Sequence, residues 1–213
     1  MFADTIQLGS FATGASSLGD ANTGMNYAGY SATLTTPLVG VGSTFTLDPD
    51  SVWAAPAANS TWVGYLSTAG PVGTANPALG YYTFTTNFTA TAGTYAGILN
   101  IMADDSASVF LNGSVIVPFA SLGGDTDCAD GGITCRGVDT IVLSGLSLLG
   151  GTNANSLTFV VRQGGNIAAL DPSGLDFNAT LTSPSAVPEP STLMLLGTGL
   201  IGAATAMRRR VVL

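Results

Sequence analysis

Histidine and lysine are absent from these 213 residues, glutamate occurs once, at Glu189, and arginine five times. Without histidine the commonest general base and the Ser-His-Asp arrangement are both missing, which argues against an enzyme. With only two cysteines, the four-ligand zinc site of nitrogen and sulfur donors is missing as well. Upstream of Val187, two arginines face twelve aspartates, a formal charge of −10. A body of that sign repels phosphate backbones, whose binding depends on Lys and Arg, so nucleic acid is excluded as a partner. Only 8% of residues are charged, yet 46% are hydrophobic. Disorder couples low hydrophobicity to high charge, and this chain does the opposite on the first count. A basic, apolar secretory leader is also missing from the opening MFADTIQLGSFATG. The expectation is that such a leader lies upstream in the reading frame.

What fills the chain is glycine, serine, threonine and asparagine among apolar residues, a mixture suited to strands and tight turns. Period-2 alternation recurs over Thr44–Leu47, Tyr81–Ala90, Tyr95–Ala103, Ser108–Val117, Thr140–Leu149 and Ser156–Gln163. Turn signals separate these runs at Thr91-Ala92-Gly93, Asp104-Asp105-Ser106, Asn112-Gly113, Gly123-Gly124 and Gly150 to Asn153. Asn-Gly accepts positive φ at both central positions, so Asn112-Gly113 predicts a two-residue hairpin. Many short strands with such breaks predict an all-β body, a β-sandwich or jelly roll, over 1–183.

The stretches ADDSASVFLNGSVIV, GGTNANSLTFVVRQGG and DPSGLDF, with Trp62 and GYYTFTTNF upstream, resemble galactose-binding-like jelly-roll domains. Such domains occur as accessory modules of secreted carbohydrate-active and adhesive proteins. The resemblance implies a non-catalytic carbohydrate-binding or matrix module, with the ligand and its binding residues unknown. Trp53, Trp62, Tyr65, Tyr81 and Tyr82 are candidates for stacking on sugar rings, with core packing as the alternative. Cys128 and Cys135 sit in a Gly-rich loop and form a disulfide in an oxidising compartment, or else remain two unrelated thiols. Asp125, Asp127 and Asp130 in the same loop offer hard oxygen ligands for calcium, although the spacing departs from the EF-hand pattern; the alternative is a solvated acidic loop. No other cofactor is expected. Asp104-Asp105 reads as a turn rather than a glycosidase pair, because neighbours along a strand point to opposite faces.

The C-terminus differs in character. From Ser191 to Met207 no residue is charged, and Arg208, Arg209 and Arg210 follow. As a helix this run is about 25 Å long at 1.5 Å per residue, the short end of what crosses a bilayer. An arginine cluster beyond it holds that end in the cytoplasm. Pro188-Glu189-Pro190, the apolar run and the arginines resemble the PEP-CTERM sorting signal of exopolysaccharide-producing Gram-negative bacteria. That resemblance implies recognition of Pro188, Glu189 and Pro190 by an exosortase, membrane anchoring during sorting, then release or attachment at the cell surface or in the matrix. The expected organisation is therefore a body over 1–183, a linker over 184–190, a single transmembrane helix over 191–207 and a basic cytoplasmic tail over 208–213. The expected partners are the exosortase and exopolysaccharide. The competing readings are a structural or adhesive coat protein with a protein partner and, less favoured, an ice-binding surface.

Overall fold

A computed structural model describes residues 4–15, 24–120, 128, 132–164, 171–183 and 195–201. Thr5–Ser183 forms one unit; 195–201 belongs to a second, made of Met1–Asp4 and Pro184–Leu213. In the first unit the strands are β1 (Thr5–Gly9), β2 (Asn26–Ser31), β3 (Gly42–Ser43), β4 (Phe45–Thr46), β5 (Val63–Gly64) and β6 (Gly80–Ala90). They continue with β7 (Gly93–Asp104), β8 (Ser106–Leu111), β9 (Ser114–Val117), β10 (Asp139–Leu148), β11 (Gly151–Gln163) and β12 (Gly174–Thr182).

Two antiparallel sheets pack as a sandwich. One has the order β10-β7-β12-β5-β4, with β1 also on β12; the other runs β3-β2-β6-β11-β8-β9. Alternation decides which side chains meet between them. In β6, Tyr82, Phe84 and Phe88 are buried, as are Leu157, Phe159 and Val161 in β11 and Val109 in β8. From the opposite sheet come Leu99, Ile101, Leu175, Phe177 and Leu181. Phe159 and Phe177 meet across the interface with ring centroids 4.3 Å apart. Each such side chain contributes roughly 1.5–3 kcal/mol on burial, which is why period-2 apolar runs commit the chain to this architecture.

Asn112 and Gly113 both have positive φ, 49° and 81°, and join β8 to β9 as the dipeptide predicts. The strands β1, β2, β3, β5 and β12 lie outside the predicted set. They supply essential pairing all the same: β12 takes β1 and β7 on its two sides, in registers that include Ile6 with Leu181 and Phe177 with Ile101.

A second, smaller apolar cluster joins Leu47, Trp53, Trp62, Met102, Cys128 and Cys135. Met102 alternates with the core residues Ile101 and Ala103, so it faces away from the sandwich interior and is buried by this outer layer. The layer changes the environment of Asp104, two residues further along the same face.

In the second unit, 195–201 is helical, inside the 191–207 span expected to form a helix. The remainder of that span lies outside the described residues. Among the described residues no helix is long and apolar enough to cross a membrane.

Candidate functional site

β7 ends at Asp104, β8 begins at Ser106, and Asp105 joins them through a cis peptide bond with Asp104. The chain therefore leaves the strand between the two aspartates, and strand alternation does not separate their side chains. β12 runs antiparallel to β7 with Gly174 opposite Asp104, which brings the preceding Asp171 to the same end of the sheet. One carboxylate oxygen each from Asp104, Asp105 and Asp171 lies within 4.8 Å of the others. All three residues are buried, at 0%, 1% and 2% exposure.

The surrounding hydrogen bonds hold the cluster in place. The Trp53 indole N–H donates to Asp104 Oδ2 at 2.7 Å, and the Gly164 amide donates to Asp105 Oδ2. The Asp105 amide donates to the Arg162 carbonyl at 3.1 Å. Asn76 Oδ1 accepts from the Asp171 amide, Gln163 Nε2 donates to the Asp171 carbonyl, and the Ser173 hydroxyl donates to the Asp104 carbonyl. The other oxygen of Asp104, Oδ1, accepts no hydrogen bond among the described residues. Burial foremost, then the charge of Asp105, holds the Asp104 carboxyl well above the usual aspartate range, against the lowering effect of the Trp53 N–H. Asp176, on the same face of β12 and opposite Met102, is a different case. Burial raises its carboxyl too, but Ser10 donates to Oδ1 at 2.9 Å and the Ala57 amide to Oδ2 at 2.8 Å. Asp176 is a hydrogen-bonded structural carboxylate.

Three carboxylates gathered in a low-dielectric site favour either shared protons or a hard cation. The donor set is all oxygen, which suits calcium rather than zinc. Asp104 also lies near the sulfurs of Cys128 and Cys135, but these are joined as a disulfide, with Cα atoms 5.6 Å apart, and a disulfide has no thiolate to offer a metal.

The sequence-derived candidates fall differently. Asp125, Asp127 and Asp130 lie outside the described residues, as do Pro188, Glu189, Pro190, Arg208, Arg209 and Arg210. Trp53 and Trp62 are buried against each other with centroids 4.3 Å apart, and Tyr82 is buried under Tyr65 at 4.6 Å. The faces of Trp53, Trp62 and Tyr82 are used in packing; Tyr65 is half-buried with its ring on Tyr82, and Tyr81 is half-buried on the outer face of β6. Sequence reasoning had Asp104 and Asp105 as a turn; Asp104 instead closes strand β7, Asp105 alone lies between β7 and β8, and neither Asp171 nor the burial of all three was read. The one available signal was an Asp-Asp pair between two apolar strands, where an ordinary turn would be exposed.

Residues 186–210 match the PEP-CTERM protein-sorting motif. The motif marks an exported protein that is processed by an exosortase, so Pro188, Glu189 and Pro190 and the three arginines fall within a sorting signal. The β-sandwich body distantly resembles several solved structures. A β-glucosidase from Kluyveromyces marxianus in complex with glucose is 14% identical, with a TM-score of 0.35 over 79% of this chain and 16% of that one. A second structure of β-glucosidase from Kluyveromyces marxianus is 13% identical, with a TM-score of 0.36 over 77% and 18%. The PA14 sugar-binding domain of an RTX adhesin is 13% identical, with a TM-score of 0.31 over 65% of this chain and 68% of that domain. The chain thus spans less than a fifth of either β-glucosidase. No curated protein matches it in sequence.

Proposed function

We propose that this chain is a surface or matrix protein whose sandwich is a non-catalytic, calcium-dependent carbohydrate-binding module. In this reading the apolar run over 191–207 anchors it in the inner membrane until the exosortase acts at Pro188-Glu189-Pro190. The observation that carries the binding assignment is the mutual approach of Asp104, Asp105 and Asp171 within 4.8 Å in a buried site. One oxygen from each gives three ligands, whereas calcium takes about six to eight. Backbone carbonyls, water and the paired hydroxyls of a sugar are the hard, neutral oxygens that complete such a shell. The absence of histidine removes the commonest general base and supports a binding role.

The test is retention of exopolysaccharide from the producing host, with calcium and with chelator, on wild type and on Asp171→Asn. Chelation is expected to weaken wild-type binding by about tenfold or more, a change of about 1.4 kcal/mol, and to have no effect on the variant. Equal binding by wild type with and without calcium refutes calcium dependence. No binding under either condition moves the body to the structural or adhesive coat class.

A further inference from the structure

Away from the carboxylate cluster, the outer face of the β3-β2-β6-β11-β8-β9 sheet carries a groove of 350 Å³. It runs between the loop after β2, which contributes Leu34 and Leu38, and the β8–β9 hairpin. Tyr81 and Thr83 on β6, Thr158 on β11 and Phe110 on β8 line it. The register places Tyr81 opposite Arg162 and Phe110 opposite Thr158, so the two rings flank β11 four residues apart along it. With strands about 4.8 Å apart and about 3.4 Å of rise per residue, the rings are separated by roughly 16 Å along a diagonal.

An outer sheet face ordinarily turns polar residues to water. Here Leu34 and Leu38 are 62% and 46% exposed beside two aromatic rings. Tyr81 packs edge-on against Phe119 at 5.8 Å, and the Arg162 guanidinium covers Phe119 at 5.5 Å while donating to the Ala120 carbonyl. The Thr158 hydroxyl pairs with that of Thr85 at 3.0 Å, and each hydroxyl keeps further bonding capacity.

The lining selects the ligand. It contains no charged residue, so neither an anion nor a cation finds a charged partner within it. A wholly apolar ligand leaves the further bonding capacity of the threonine hydroxyls unused. An uncharged sugar chain satisfies both sets of groups, with its C–H faces on the rings and leucines and its hydroxyls on the threonines. We infer that this groove binds an uncharged oligosaccharide chain, at a second site that needs no cation and stands independently of the carboxylate cluster.

The experiment uses the full chain in a zwitterionic, sugar-free detergent with chelator present, on an array of uncharged oligosaccharides with sialylated and sulfated glycans as controls. The best uncharged binder is then titrated calorimetrically. Saturable binding is expected, weakened about tenfold or more by Tyr81→Ala and by Leu34→Asp, a change of about 1.4 kcal/mol. Leu34 is exposed enough that its replacement leaves the fold intact, which a thermal melt checks. Asp171→Asn is expected to leave this titration unchanged. Retention of no uncharged glycan in chelator, preference for the charged controls, or equal affinity of Leu34→Asp each overturns the inference. Loss of binding in Asp171→Asn assigns it to the carboxylate site instead, so failure here is separable from failure of the calcium reading.

Discussion

Withdrawing divalent cations from the folded chain leaves three buried carboxylates facing one another. At the 4.8 Å limit of their separation, two full charges repel by about 3.5 kcal/mol at an effective dielectric constant of about 20. Three such pairs sum to about 10 kcal/mol, comparable to the roughly 5–15 kcal/mol of a typical domain. The cation-free protein therefore keeps at least one carboxyl protonated, in line with the upward displacement of Asp104. A folded-state pKa raised above the ordinary aspartate value of 3.8 means that stability is full below that value and declines as pH rises to the folded one. Calcium requires the ionised forms, so its contribution grows over the same rise. At a hundredfold excess over Kd it stabilises by about 2.7 kcal/mol, which for a domain of about 150–250 residues raises Tm by about 5–11 °C. The assay is a thermal melt followed by tryptophan emission, since the Trp53 indole is bonded to Asp104. In chelator, Tm is expected to fall as pH rises above the ordinary aspartate value, and the gain from calcium to widen in parallel. Asp171→Asn is expected to raise Tm in chelator, by relieving repulsion, and to abolish the calcium gain. A Tm that is insensitive to calcium throughout the pH range above the ordinary aspartate value, or an Asp171→Asn variant that still responds, refutes the reasoning.

Replacing Pro188, Glu189 and Pro190 with alanine is expected to leave full-length protein in the membrane fraction of the producing host, read by immunoblot; unchanged processing contradicts recognition of those residues. Cys128→Ser with Cys135→Ser opens a short loop whose closure is worth about 2.5 kcal/mol for roughly eight residues. It also loosens the layer around Trp53 and Trp62. Chemical denaturation is expected to show a loss of at least that size together with weaker calcium response, and an unchanged midpoint rules out a stabilising role for the bridge.

The strands over β6, β7, β8, β9, β10 and β11 were legible because alternation and turn chemistry act over a few residues. Asn112-Gly113 is the clearest case, a dipeptide whose own backbone preference makes the hairpin. β2 escaped because Gly29, at a φ of 132°, follows a register shift that breaks its alternation, while β1 does carry the signal in the alternation of Ile6 and Leu8. β12 carries the alternation too, with Leu175, Phe177, Ala179 and Leu181 inward and Asp176, Asn178, Thr180 and Thr182 on the other face; the burial of Asp176 there, made tolerable by hydrogen bonds from Ser10 and Ala57, is what the pattern does not show.

The sorting signal was readable in the linear order of residues, because a tripeptide, an apolar run and terminal arginines are contiguous features that a partner recognises without a fold. Strand content and the β-sandwich class followed likewise from local patterning. Tertiary structure alone brought Asp171 to Asp104 and Asp105, since that approach depends on β12 pairing antiparallel with β7. It also turned the tryptophans inward over the disulfide and left Tyr81 and Phe110 facing a groove. Burial and approach across a sheet are properties of paired strands distant in the chain, and no run of neighbouring residues encodes them separately.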